Sequence, residues 1–104
     1  MAIISPNNNI DEIPNLVFSE LINGASKKKH PFKNVVLTTI NENNPKSRWV
    51  VFRKLTLEKN LLIYTDLRSK KIQELRKNFK CGLLFYNNKQ GLQVHFNASY
   101  TIHH

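Results

Sequence analysis

The feature that most constrains this chain is a series of short apolar runs, rich in β-branched and aromatic residues, each closed by a polar turn. Residues 32–40 (Phe-Lys-Asn-Val-Val-Leu-Thr-Thr-Ile), 48–55, 61–65, 81–86 and 92–102 read as strands. Between them lie an Asn- and Pro-rich turn at 41–47, a tight turn at 58–60 and the loop Asn-Asn-Lys-Gln-Gly at 87–91. Connections this short imply antiparallel neighbours. The connection after 65 is long enough for a helix over 69–78, where Ile72, Leu75 and Phe79 recur three and four apart. A second helix is expected at 11–23, with Ile13, Leu16, Val17, Leu21 and Ile22 on one face, Pro14 in its first turn and Gly24 as its stop. Residues 1–9 are polar without a period and read as a flexible tail. The order is therefore helix, three strands, helix, two strands. The economical arrangement is a mainly β fold, a curled antiparallel sheet or small barrel, since closure removes exposed edges.

At 104 residues the chain suits one domain spanning 1–104. No run reaches the roughly 20 apolar residues that a membrane-spanning helix needs. The start lacks a basic region followed by an apolar core, so a cytoplasmic location is expected. Cys81 is the single cysteine, which excludes an intrachain disulfide and a cysteine-based zinc site. It sits in the apolar run Cys-Gly-Leu-Leu-Phe-Tyr and reads as a core residue. His103 and His104 end the chain, and strand neighbours point to opposite faces, so no metal is expected there. The net charge of +9 favours anionic partners without choosing among nucleotides, phosphates, nucleic acid and acidic lipid.

The chemistry concentrates between Arg48 and Val94. Alternation in the second strand puts Arg48, Val50 and Phe52 on one face, and Trp49, Val51 and Arg53 on the other. A strand with apolar residues on both faces is expected to be partly buried on both. Two solvated arginines flanking a core strand is the plain reading. Further on, Tyr64-Thr65 ends a strand and Asp66-Leu67-Arg68-Ser69-Lys70-Lys71 leads into the helix. Asp66 or Ser69 can cap that helix. Lys70 and Lys71 in its first turn oppose the helix dipole, a local cost that a bound anion offsets. Arg48 and Lys71 are thus expected to meet around one phosphate-sized site.

These segments resemble a known family. Arg48-x-Val50-x-x-Arg53, Tyr64-Thr65-x-x-x-Ser69-x-Lys71 and the later Gln93-Val94 look like the pyridoxamine phosphate oxidase-like FMN-binding split barrels. Upstream, Glu20-Leu21-Ile22-Asn23-Gly24-Ala25 and Pro31-Phe32, entering a strand that ends Leu37-Thr38-Thr39-Ile40, fit as well. The resemblance runs from about Val17 to Ile102. It implies an antiparallel split β-barrel of the FMN-binding type and a flavin-dependent oxidoreductase. By the resemblance, Arg48 pairs with the FMN phosphate and is joined by Lys71, with Lys70 and Ser69 beside it. The main chain of Trp49, Val50 and Val51 runs along the isoalloxazine, Tyr64 and Thr65 line the phosphate and ribityl side, and Gln93 hydrogen-bonds toward the flavin. Arg53 falls where the oxidases carry a lysine contacting the substrate phosphate; arginine keeps the charge and changes the geometry. Asn97 stands where many relatives have glycine. The relatives' later strand and C-terminal helix have no counterpart by residue 104, so a barrel truncated at its C-terminus is implied. The relatives hold flavin at a two-fold interface, and a homodimer is expected.

No residue is identified as a general base, so the catalytic residues stay open. Similar barrels also take deazaflavin or haem. The substrate class implied is a phosphorylated or flavin-reactive small molecule. Two other readings compete. One is a non-catalytic flavin-binding fragment. The other is a basic nucleic-acid-binding barrel, with Phe85, Tyr86, Phe96 and Tyr100 as a stacking platform; those aromatics fit a core pattern equally well, and no RNP-like motif is present.

Overall fold

The computed structural model describes residues 2–6, 14–41, 43–58, 60–64 and 79–102. The described chain folds as β1 (Ala2–Pro6), α1 (Asn15–Ser26), a single 3-10 turn at Pro31–Lys33, β2 (Asn34–Asn41), β3 (Asn44–Leu55), β4 (Leu61–Tyr64), β5 (Phe79–Asn87) and β6 (Leu92–Ile102). All strand pairs are antiparallel, and the order β1-β4-β3-β2-β5-β6 closes on itself as a barrel. The split-barrel expectation is met. The helix expected at 69–78 lies outside the described residues, as do Thr65, Ser69, Lys70 and Lys71.

The opening residues depart from expectation. Ala2–Pro6 is a strand that pairs with β4 through Ile4↔Leu61 and with β6 through Ile4↔Tyr100. Five residues with one core side chain carry too little local pattern to announce a strand. Here two otherwise unpaired edges supply the reason, and Ile4 is fully buried between them. The same pairing covers one edge of β6.

The β2–β3 connection is also tighter than expected. Asn41 pairs with Asn44, so the turn spans two residues, and Asn43 takes φ 68°. Asparagine tolerates this left-handed conformation better than most side chains, and two-residue hairpins demand it. Pro45 sits inside β3 opposite Ile40. Its missing N–H is tolerated because β4 pairs with β3 only from Val51 onward. Residues 44–50 of β3 thus have one partnered edge and one edge that no described strand takes.

α1 closes one side of the barrel. It buries Glu20, Leu21 and Gly24, while Leu16 and Ile22 lie exposed, off the face the spacing had assigned them. Gly24 does not end the helix. A Cβ there would stand 2.4 Å from Phe32 Cβ, so glycine is what lets the helix approach Phe32. The helix runs on to Ser26, and Lys33 Nζ donates to Ala25 O at 2.9 Å, capping a terminal carbonyl. His30 fixes the following turn. Its Nδ1 accepts from Phe32 N–H at 3.0 Å, which leaves Nε2 facing the Glu20 carboxylate. Phe32 then packs on Phe85 at 5.0 Å between ring centroids, and Phe85 meets Phe52 at 5.4 Å and Phe96 at 6.1 Å. Ile4, Val35, Leu37, Val50, Leu61, Ile63, Leu83 and Tyr100 complete this core.

No described helix is long and apolar enough to cross a membrane.

Candidate functional site

The alternation expected for β3 is present, with one correction. Val50 and Phe52 point into the barrel, and Trp49, Val51 and Arg53 point outward. The outward face is open rather than half-covered: Trp49 is 71% exposed. Trp49 pairs with Val36, which pairs with Leu84, which pairs with His95, so one outward row crosses four strands. Beside it Tyr64 pairs with Val51 and Val51 with Asn34.

Arg48 shares the inward parity of Val50 but stands two residues nearer the strand end. Its guanidinium is partly buried and donates from Nη2 to Thr39 Oγ1 at 2.8 Å. Thr39 is 1% exposed, so this acceptor is fixed by the barrel wall. The other terminal nitrogen, Nη1, is buried and has no hydrogen-bond partner among the described residues. A buried donor left unpaired carries a desolvation penalty of about 1–3 kcal/mol, more when charged. The plain reading of Arg48 as a solvated strand end is therefore replaced by a cation held at the barrel wall with an unused donor.

Thr39 was not among the residues singled out from the sequence. A signal existed: it shares parity with Val35 and Leu37 on the inward face of β2, and a polar residue on a buried face needs a partner.

The main chain beside Arg48 is the second feature. At Trp49 and Val50, β3 is bonded to β2 on one edge, and no described strand occupies the other. A strand edge of this kind offers N–H and C=O groups in alternation to a planar polar molecule. Tyr64, at the end of β4, stands opposite Val51, and the Arg53 guanidinium lies 4.9 Å from the centre of its ring. Arg48, Trp49, Val50, Val51, Arg53 and Tyr64 are thus assembled along β3 and its β4 neighbour. Gln93 is not brought to them. It lies exposed at the start of β6 opposite Tyr86, with β2 and β5 between it and β3. At about 4.8 Å per strand, that is roughly 14 Å along the sheet.

Other candidates resolve simply. Cys81 faces the interior opposite Thr39 and Ala98, and burial pushes its thiol up to about 12, which fits a core role. Phe85, Phe96 and Tyr100 are buried, leaving Tyr86 alone exposed from the proposed stacking platform. No group of three metal-ligating side chains occurs among the described residues. His103 and His104 lie outside those residues.

The unused donor of Arg48 suits a phosphate oxygen, and the open β3 edge suits a ring bearing both donors and acceptors. An FMN-type ligand fits both. No curated protein and no solved structure matches the chain closely enough to add to this. The family model described as pyridoxamine 5'-phosphate oxidase, FMN-binding domain, matches residues 15–104. With a barrel of the expected kind and that match over most of its length, the chain belongs to the pyridoxamine 5'-phosphate oxidase FMN-binding domain family.

Proposed function

We propose that this chain binds FMN along the open edge of β3 and serves as a flavin-dependent oxidoreductase domain. The observation that carries the reading is the buried Nη1 of Arg48, which has no partner among the described residues. A phosphate oxygen accepting from it removes the desolvation penalty and adds a charge-assisted hydrogen bond. Thr39 holds the guanidinium in place from the opposite side. The main chain of Trp49, Val50 and Val51 orients the ring. Ser69, Lys70 and Lys71 are assigned to the phosphate, and Thr65 with Tyr64 to the ribityl side, on the family pattern. When bound, the flavin supplies the hydride and electron transfer. Arg53 and Tyr64 stand beside the ring position, where Arg53 can receive an anionic group of the substrate.

The working unit in this reading is a homodimer. The outward face carries Trp49, Val51, Tyr64 and Tyr86 exposed, more apolar surface than scattered residues leave on a monomer. Gln93 lies on β6, with two strands between it and β3 in either direction around the barrel. A two-fold copy packed on this face carries the partner's Gln93 toward β3.

Purification without added cofactor, then an absorbance scan and the mass of any released ligand, tests the reading. Flavin bands with released FMN are expected. A colourless protein that also fails to quench FMN fluorescence in titration rejects it.

A further inference from the structure

We propose that the groove over Gly82, on the outer face of β5, is a second anion-binding site, taking a small phosphate ester or carboxylate. The groove has a volume of about 470 Å³ and opens on the outside of β2, β5 and β6. It is on the opposite face of the sheet from Arg48, which has inward parity, and β2 separates it from β3. It is distinct from the Arg48 guanidinium, and through His95 it borders the outward row that begins at Trp49.

Gly82 sits mid-strand, where a glycine weakens a sheet and often marks a place that another group approaches closely. The pairing puts it at the centre of a row, Thr38 on one side and Asn97 on the other. Along β5 and β6 the next outward positions are Lys80 and His95. Ile40 completes the wall. A floor at Gly82, overhung by the His95 imidazole, is thus flanked by a hydroxyl, an amide and an ammonium. Each can donate a hydrogen bond, and no carboxylate lines the groove among the described residues. Thr38 Oγ1 and Ser47 Oγ lie 2.7 Å apart. In such a pair one hydroxyl donates to the other, and the second keeps a free O–H for a ligand. Convergent donors with one fixed positive charge, Lys80, among them, in a chain of net charge +9, fit an anion. The groove exceeds the volume of a bare phosphate, and Ile40 gives it an apolar wall, so the anion carries an organic body.

His95 fixes the size of the floor. A Cβ on residue 82 would come 3.1 Å from His95 Nε2, so the imidazole leans over the glycine and any side chain there displaces it.

The test is an NMR titration of the isotope-labelled full chain with inorganic phosphate, and separately with acetate. Saturable shifts are expected at the amides of Thr38, Gly82 and Asn97 and at the His95 ring. Lys80→Ala should weaken them about 10-fold, as loss of one charged hydrogen bond predicts. Thr38→Val is the second variant and should weaken them less. FMN affinity should be unchanged in both. Tighter phosphate binding assigns a phosphate ester, and tighter acetate binding a carboxylate; either supports the site. Absence of saturable shifts at Gly82 and Asn97 overturns it. So do shifts of equal affinity in Lys80→Ala, or shifts confined to the Arg48 guanidinium. Failure of FMN to bind while the Gly82 shifts persist removes the flavin reading and leaves this one standing.

Discussion

Arg48 and Thr39 are joined across the β2–β3 hairpin by one hydrogen bond, Nη2 to Oγ1 at 2.8 Å, and the second guanidinium nitrogen is buried and unpaired among the described residues. The pair thus has a positioning half and a binding half. Arg48→Ala removes both, and FMN affinity should fall at least about 10-fold, since a charged hydrogen bond contributes roughly 1.5–3 kcal/mol and 1.4 kcal/mol is one decade. Equal affinity in parent and variant, measured by fluorescence quenching, would exclude the phosphate assignment.

Thr39→Val isolates the positioning half. It keeps the shape of a buried side chain and deletes the acceptor. The guanidinium then loses its anchor while keeping its charge. A smaller loss of FMN affinity than in Arg48→Ala is expected, together with a stability loss of about 1–3 kcal/mol in urea unfolding, because Nη2 joins Nη1 without a partner. Thr38→Val, on the outer face of the same strand, is the control and should leave FMN binding alone. Loss of affinity in the control but not in Thr39→Val would contradict the geometry.

The close approach of α1 to the barrel gives a prediction of stability alone. Gly24→Ala puts a methyl group 2.4 Å from Phe32 Cβ, and the Phe32 main chain lies next nearest at 3.2 Å. Neither neighbour is the loose end of a flexible side chain, so helix and turn must part. Overpacking of this kind typically destabilises by about 1–3 kcal/mol. Elsewhere in helices the same change is favourable. An unchanged or raised urea midpoint would show that the helix does not sit where it is described.

The strands between 32 and 102 were legible because period-two alternation and short turns agree, residue by residue, with what the barrel buries. The family pattern was legible for the same reason: Arg48, Val50 and Arg53 keep their spacing whatever surrounds them. Three things were not legible. β1 has five residues, with Ile4 alone buried among its described side chains, and only its two partner strands make it a strand. Gly24 looked like a helix stop because the sequence shows no Phe32 pressed against it. The turn at 41–47 was drawn too long because Pro45 argues against a strand unless one knows that β4 does not reach it. Thr39 belongs between the two groups, since its inward parity was readable and its partner was not. In each missed case the deciding fact lies in another element of the fold.

Cys81 gives a prediction in pH. Burial raises its thiol from 9.0 to about 12. In the unfolded chain the thiol releases its proton near 9.0, whereas the folded chain holds it. The unfolded state therefore binds fewer protons across that window, and stability from this group falls as pH rises from about 9 toward 12. Below 9 the group contributes no slope. Cys81→Ala should show a shallower loss of stability than the parent between pH 9 and 11. The native thiol should also resist alkylation at pH 8 and react once urea unfolds the chain. Rapid alkylation of the folded protein would mean that Cys81 is not in the core.

Assembly is the last prediction. β1 covers the edge of β6 and leaves none there for a partner. What remains is the outward face of β3 and its neighbours. Trp49, at 71% exposure, stands at its centre, with Val51 and Tyr64 alongside. A tryptophan so placed is a typical anchor of an interface, where a few buried aromatics carry most of the association energy. A symmetric dimer should therefore form, with a mass near 24 kDa, twice the 12.2 kDa chain, by light scattering at micromolar concentration. Trp49→Asp should return it to a monomer without unfolding it, because the side chain touches no core. The same variant should lose FMN affinity, since each flavin then lacks the partner's Gln93. A monomeric parent that nonetheless holds FMN tightly would separate the two halves of the argument: the flavin site would be complete within one chain, and Gln93 would have no part in it.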